Sequence, residues 1–131
     1  MTRFNLKLLA AAMSIAVAPA LAADFDGSKP LICASIEAHD CGLGITCERA
    51  VAEDLNVPQF IRLDFTKKTM SARGRSTTMQ SHARSDGMLI VQGFENKRVF
   101  SITISEQTGK LVGAIAADEE GFMIFGACTP L

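Results

Sequence analysis

The sequence predicts an all-β fold, a small antiparallel meander of seven or eight strands that forms a barrel or a curled half-barrel. In the last third of the chain, runs rich in Val, Ile and Phe are separated by short polar turns, which is the signature of β-hairpins. Such turns exclude parallel crossovers, which need about a dozen residues or more. Gly93, Gly113 and Gly126 fall inside strand patterns, where glycine marks the bends that curl a sheet.

The first 22 residues have the pattern of a cleavable signal peptide. Arg3 and Lys7 form a positive segment, residues 8–18 an apolar core, and Ala20-Leu21-Ala22 a small-residue cleavage site. An uncleaved anchor is the alternative, but the apolar core is too short for a membrane span. We therefore expect a periplasmic or secreted protein whose residues 23–131 form a single β domain.

The charge of the exported part limits the classes of partner. Without Arg3 and Lys7 the chain has 11 basic and 14 acidic residues. Nucleic-acid-binding domains are strongly basic, so this mild acidity argues against a nucleic-acid partner. The chain has no Trp and no Tyr, which disfavours recognition of sugars and bases by stacking.

All four cysteines lie in the exported part, where an even count predicts disulfides. Four cysteines allow three connectivities. We predict Cys41–Cys47, which is local across a Gly-Leu-Gly turn, together with Cys33–Cys128. The second bridge would join the first strand to the last and would contribute roughly 4–5 kcal/mol in the chain-entropy model.

The N-terminal half contains weaker strand patterns and one helical pattern. Residues 48–55 predict a short helix, because Val51 and Leu55 lie four apart and Pro58 then enforces extended chain. Alternation of apolar and polar residues predicts strands over 31–38, 59–65, 69–73 and 77–84.

The meander itself is predicted at 88–94, 98–105, 110–117 and 121–127. Its turns are Glu95-Asn96-Lys97, residues 106–109 and Asp118-Glu119-Glu120. The run from Phe122 to Phe125 is apolar on both faces, which predicts a strand that is covered on both sides or at one edge.

Catalytic and metal-binding patterns are weak. The closest group of metal-type ligands has no standard zinc spacing and fits a disulfide loop better; it comprises His39, Asp40, Cys41 and Cys47. A triad of Ser81, His82 and Asp86 has no supporting motif. We therefore expect no catalytic residue, no metal site and no cofactor, and we count the scattered methionines as core.

Basic residues concentrate between Asp64 and Asp86, an interval without any acidic residue. This asymmetry indicates a positive patch for an anionic partner, such as an acidic protein face, a lipid headgroup or a polymer. The alternative is a polar hairpin that is kept soluble by its charges. The candidate binding residues are Arg62, Lys67, Lys68, Arg73, Arg75 and Arg84.

Several short motifs resemble a family of small exported proteobacterial proteins. They span the mature chain and comprise Lys29-Pro30-Leu31-Ile32-Cys33, residues 92–96, Thr108-Gly109-Lys110 and residues 125–130. The resemblance implies export and paired terminal cysteines, and it implies no activity. A second, architectural analogy is to periplasmic inhibitors of C-type lysozyme, which are also disulfide-bonded antiparallel barrels of about this length.

Together these observations predict a non-enzymatic, exported binding or interaction module on a disulfide-tied β scaffold, with an anionic partner. The alternatives are a structural or stress protein of the envelope without a ligand, an inhibitor of a lysozyme-like hydrolase, and a small hydrolase. A hydrolase would need His39 or His82 buried beside a carboxylate in a cleft.

Overall fold

A computed structural model describes residues 24–44 and 46–131, so the predicted signal peptide lies outside the described residues. Ten strands form one antiparallel sheet. They are β1 (Leu31–Gly42), β2 (Glu48–Ala50), β3 (Phe60–Asp64), β4 (Thr69–Ala72), β5 (Arg75–Thr78), β6 (Ser81–Ser85), β7 (Met88–Glu95), β8 (Arg98–Ser105), β9 (Lys110–Ala116) and β10 (Glu120–Pro130).

The strands follow the order β5-β4-β3-β1-β10-β9-β8-β7-β6. The short strand β2 pairs with residues 38–40 of β1, whereas β3 pairs with residues 31–34 of the same strand. The predicted meander corresponds to β7–β10, each paired antiparallel with the next. The first long strand lies beside the last, with Cys33 opposite Cys128. The prediction of an antiparallel all-β fold is therefore confirmed, with more strands than expected.

The sheet curls because its two outermost strands are consecutive in the chain. Eight antiparallel pairings separate β5 from β6, so the two strands run in the same direction, and two residues connect them. The Met79 N–H donates to the Lys68 carbonyl at 2.8 Å, and the Gln80 N–H donates to the Gln92 carbonyl at 2.9 Å. The segment 75–85 thus pairs first with β4 and then with β7, which curls the sheet into a half-barrel.

The predicted helix at 48–55 is wrong. Its first three residues form β2, because the Cys41–Cys47 disulfide closes a hairpin that pairs Glu48 with Asp40. The rest is a single helical turn that ends at Asn56, whose φ is +56°. The Val57 N–H donates to the Ala52 carbonyl at 2.8 Å, the bond that closes a Schellman motif. Too few residues remain between strand and cap for a helix.

Both predicted disulfides are present, Cys33–Cys128 and Cys41–Cys47. The first ties β1 to β10 near the middle of the sheet, beside a bulge between Ser35 and Glu37. At this point a Cβ on Gly126 would overlap the Ala34 carbonyl, so the close approach of these two strands requires glycine there.

Successive turns between the strands lie at opposite ends of the half-barrel, and the buried residues form one cluster at each end. The larger cluster of buried residues fills what we call the closed end, where Phe65, Met79 and Leu89 are at most 5% exposed. A smaller cluster at the other end, the open end, packs Ala38 and Val57 against the inner side of β10. Since a small domain usually has one contiguous core, the space between the two clusters is the feature that the fold leaves unfilled.

Candidate functional site

A cleft of about 430 Å³ lies inside the half-barrel between the two core clusters. Its volume is within the range of pockets that hold small molecules. Its walls are mainly apolar side chains from β3, β4, β8, β9 and β10, namely Ile61, Met70, Phe100, Ile102, Leu111, Ile115 and Ile124, with Cys33 on β1. The inward position 113 on β9 is a glycine, so no side chain fills this part of the cleft.

The mouth of the cleft is at the open end, and it carries positive charge. Arg73, in the β4–β5 turn, and Arg75, at the start of β5, contribute to its rim and are exposed. Within residues 24–44 and 46–131, neither guanidinium lies within 4.0 Å of a carboxylate. Both guanidinium groups therefore have free N–H groups that could donate hydrogen bonds to a bound anion.

Arg98 is the third guanidinium of the mouth, and it is held in place. It is half-buried at the start of β8, lies 4.9 Å from the centre of the Phe122 ring, and donates from Nη1 to the Leu55 carbonyl at 2.6 Å. These contacts use one of its five N–H donors and fix the plane of the guanidinium. A fixed donor loses less side-chain entropy on binding than a free one.

One carboxylate, that of Glu95, shares the cleft lining with these three arginines. The mouth therefore has an excess of two positive charges beside apolar walls. Such a site favours an anionic group, because low-dielectric walls strengthen the attraction between charges.

The structure divides the predicted positive patch. Arg73 and Arg75 meet at the mouth, whereas Lys67 and Lys68 lie in the β3–β4 turn at the closed end, roughly 16 Å away along the strand. Lys67 Nζ is 3.9 Å from the Asp64 carboxylate.

The other two residues of the predicted patch lie elsewhere on the sheet. Arg62 is exposed on β3. Arg84, on β6, forms a bidentate pair with Glu106, in which Nη2 donates to Oε2 at 2.9 Å. The Arg84 guanidinium holds the pKa of the Glu106 carboxyl below its usual range. The charge of Arg84 is thus already neutralised.

Neither histidine lines the cleft. His82 is exposed on β6, with its ring 5.7 Å from that of Phe65. His39 is half-buried on β1, and its Nε2 lies 2.7 Å from Glu37 Oε1. Hydrogen bonding to His39 and the charge of Arg49, 3.4 Å away, lower the pKa of the Glu37 carboxyl. This cluster lies beside Phe125 on the outer side of the sheet.

Sequence reasoning missed Arg98 and the cleft itself. The turn Glu95-Asn96-Lys97 predicted a hairpin with Arg98 at the start of its second strand, and nothing in the sequence placed that hairpin beside Arg73, about 25 positions earlier. Among the described residues, no group of three or more His, Cys, Asp or Glu side chains is arranged to hold a metal ion.

Comparisons with protein-family models, curated proteins and solved structures found no match to this chain. No activity therefore transfers from a relative to the cleft. In the part of the chain that the structure describes, no helix has the length and apolar character needed to cross a membrane.

Proposed function

We propose that this protein is an exported, non-enzymatic binding module that holds a small amphiphilic anion in the cleft. The ligand would carry a compact anionic group, such as a carboxylate, on an unbranched apolar chain. The observation that supports this proposal is that the cleft has an apolar interior and three arginines at its mouth.

The interior supports an apolar chain as one part of the ligand. Met70 and Ile115 are only partly buried although they point toward the core, because no side chain covers them across the cleft. An apolar chain of ten or so carbons would remove this surface from water, and each buried CH2 contributes about 0.8 kcal/mol.

The arginines of the mouth support an anionic group as the other part of the ligand. Guanidinium groups bind carboxylates through two parallel N–H···O bonds, and hydrogen bonds to charged groups contribute about 1.5–3 kcal/mol each. Arg73 and Arg75 offer such donors without a carboxylate partner in residues 24–44 or 46–131.

The polar groups of the cleft favour binding over catalysis. Its one lining serine, Ser35, donates its hydroxyl to the Pro58 carbonyl at 3.0 Å, and no histidine lines the wall. A nucleophile needs a neighbouring base within hydrogen-bond reach.

The two disulfides are typical of oxidising compartments and support a periplasmic or secreted location.

Calorimetric titration of the mature chain with decanoate tests this proposal. We expect decanoate to bind with a Kd in the micromolar to sub-millimolar range and 1-decanol, which lacks the charge, to bind at least about 10-fold more weakly. The double variant Arg73→Glu/Arg75→Glu should weaken decanoate binding by a similar factor, and added salt should weaken binding to the wild type.

The matched control is Lys67→Glu/Lys68→Glu, which makes the same change of charge at the other end of β4. It should leave decanoate affinity nearly unchanged. Equal losses in the two double variants would mean that net charge alone attracts the anion. No binding of decanoate to the folded wild type would refute the proposed function.

A further inference from the structure

The outer face of the meander is almost uncharged. Along β7 to β10 every second side chain points into the half-barrel, as Leu89, Val91 and Ile124 do, and the others point outward. Among the outward positions of these four strands, Lys110 is the single charged residue, and it lies at the closed end. An antiparallel sheet with one solvated face normally carries polar residues there, and here the polar residues are uncharged and lie mainly on β7 and β8, as Gln92, Ser101, Thr103 and Ser105.

Large apolar side chains stand on this face in two cross-strand pairs. Phe94 is opposite Val99, and each is 61% exposed. Val112 is opposite Phe125, and they are 38% and 40% exposed. Between the two pairs lies a shallow apolar groove lined by small residues that include Ala114, Ala116 and Gly121. Ridges beside a groove give the face a shape that could interlock with a second sheet.

This face, which includes the polar side chains of β8, is about as large as the largest apolar patch of a typical monomer. Four strands spaced about 4.8 Å apart, each about seven residues long, cover on the order of 500 Å² with their side chains. The largest apolar patch of a monomeric protein is typically about 300–600 Å² and is often functional. The sequence of β10 predicted a strand covered on both sides or at one edge; in the structure Phe122 and Ile124 are buried, whereas Phe125 is 40% exposed.

We propose that a second copy of this chain covers the face, so that the protein forms a twofold dimer through β7–β10. Two copies can meet here without bringing like charges together, whereas a charged partner would lose hydration without gaining an ion pair. Two such faces would bury about 1,000 Å², near the lower limit for a specific interface, so the dimer should be reversible.

The surroundings of the face have the character of an interface rim. Glu37, next to Phe125, is paired with Arg49 and His39 within its own chain, so this border is polar but already neutralised. An apolar centre with a polar border is the usual anatomy of protein interfaces. The cleft opens from the inner side of the sheet, so dimerisation would leave its mouth free.

Sedimentation equilibrium of the mature chain tests the dimer. We expect the wild type to dimerise in the micromolar range, and Ala114→Glu, at the centre of the face, to weaken self-association by about 100-fold or more. Val112→Glu should act in the same way and serves as a second variant if the first does not fold by circular dichroism. Val51→Glu, at an exposed position that follows β2 and is separated from β10 by β1, is the matched control and should dimerise like the wild type.

A wild type that remains monomeric at about 100 μM would overturn the proposal. So would dimers of unchanged strength in both folded face variants, because the contact would then lie elsewhere. Both outcomes are independent of decanoate binding, so they leave the proposed function of the cleft unaffected.

Discussion

The closed and open ends of the half-barrel are built from the same strands, but the closed end has the larger core cluster, whereas the cleft adjoins the smaller cluster of the open end. At the closed end, Phe65 and Met79 meet side chains from across the curl, and the Phe65 and His82 rings lie 5.7 Å apart. At the open end the inward positions carry Gly113 and partly buried aliphatic side chains such as Ile115, which do not reach across. We infer that the closed end supplies stability and that the open end retains a cleft at some cost in stability.

The largest predicted difference in unfolding free energy is between variants that lack one or the other of the two disulfides. Removal of Cys33–Cys128 by double substitution with serine should cost about 4–5 kcal/mol, since it closes a loop with a sequence separation of 95. Removal of Cys41–Cys47, at the open end with a separation of 6, should cost about 2 kcal/mol. Urea unfolding of both variants measures these values. Equal losses would show that loop size does not govern the effect here.

Two methionines compare the ends with the same side chain. Met79 is 2% exposed in the closed-end core, so Met79→Ala should lower the free energy of unfolding by about 2–5 kcal/mol. Met70 lines the cleft and is only partly buried, so Met70→Ala should cost about 1 kcal/mol. Thermal or urea unfolding checks the order. A larger loss at Met70 would mean that the open end is packed as tightly as the closed end.

Gly113 tests whether the unfilled volume is the binding site. A Cβ at this position would meet its nearest neighbours, on Ile124 and Ile102, at 3.6 and 3.7 Å, which is ordinary contact. Gly113→Ala should therefore leave stability unchanged or raise it by up to about 1 kcal/mol. Gly113→Val should reach further into the cleft and weaken decanoate binding by about 10-fold. Unchanged affinity in a folded Gly113→Val variant would place the ligand elsewhere.

Acid stability gives the smallest predicted contrast. The Arg84 guanidinium lowers the pKa of Glu106 in the folded chain, so this pair stabilises the fold above the ordinary Glu value of about 4.3. Its contribution is lost as the pH falls through the lowered folded pKa. The difference in unfolding free energy between the wild type and Glu106→Gln should therefore shrink toward zero as the solution is acidified. Arg75→Gln, at the open end, should leave this acid dependence unchanged.

The strands were largely predictable because alternation encodes which face is buried. In the meander over 88–127, β8 alternates and short polar turns separate the other apolar runs, so all four strands were found. The region 77–84 reads as one strand and is one extended segment, but its two halves pair with different partners, which no local pattern can reveal. The helix at 48–55 failed because a disulfide fixed its first residues in a hairpin.

The site was only partly predictable because it depends on contacts distant in sequence. Arg73 and Arg75 were predicted as binding residues, and the structure places them at the mouth of the cleft. Arg98 joins them only because the sheet curls. Arg84 appeared equivalent in sequence, yet it is neutralised by Glu106, 22 residues away.

Amide chemical-shift mapping of an isotope-labelled chain of residues 23–131 during a decanoate titration tests the central claim most directly, because it reports both ends of the molecule at once. We predict saturable shifts at the amides of Asn56, Arg73, Asn96 and Gly113, and none at Leu89 or Gly109. Shifts concentrated at the closed end, or no shifts at millimolar decanoate, would contradict the assignment of the open end as a site for amphiphilic anions.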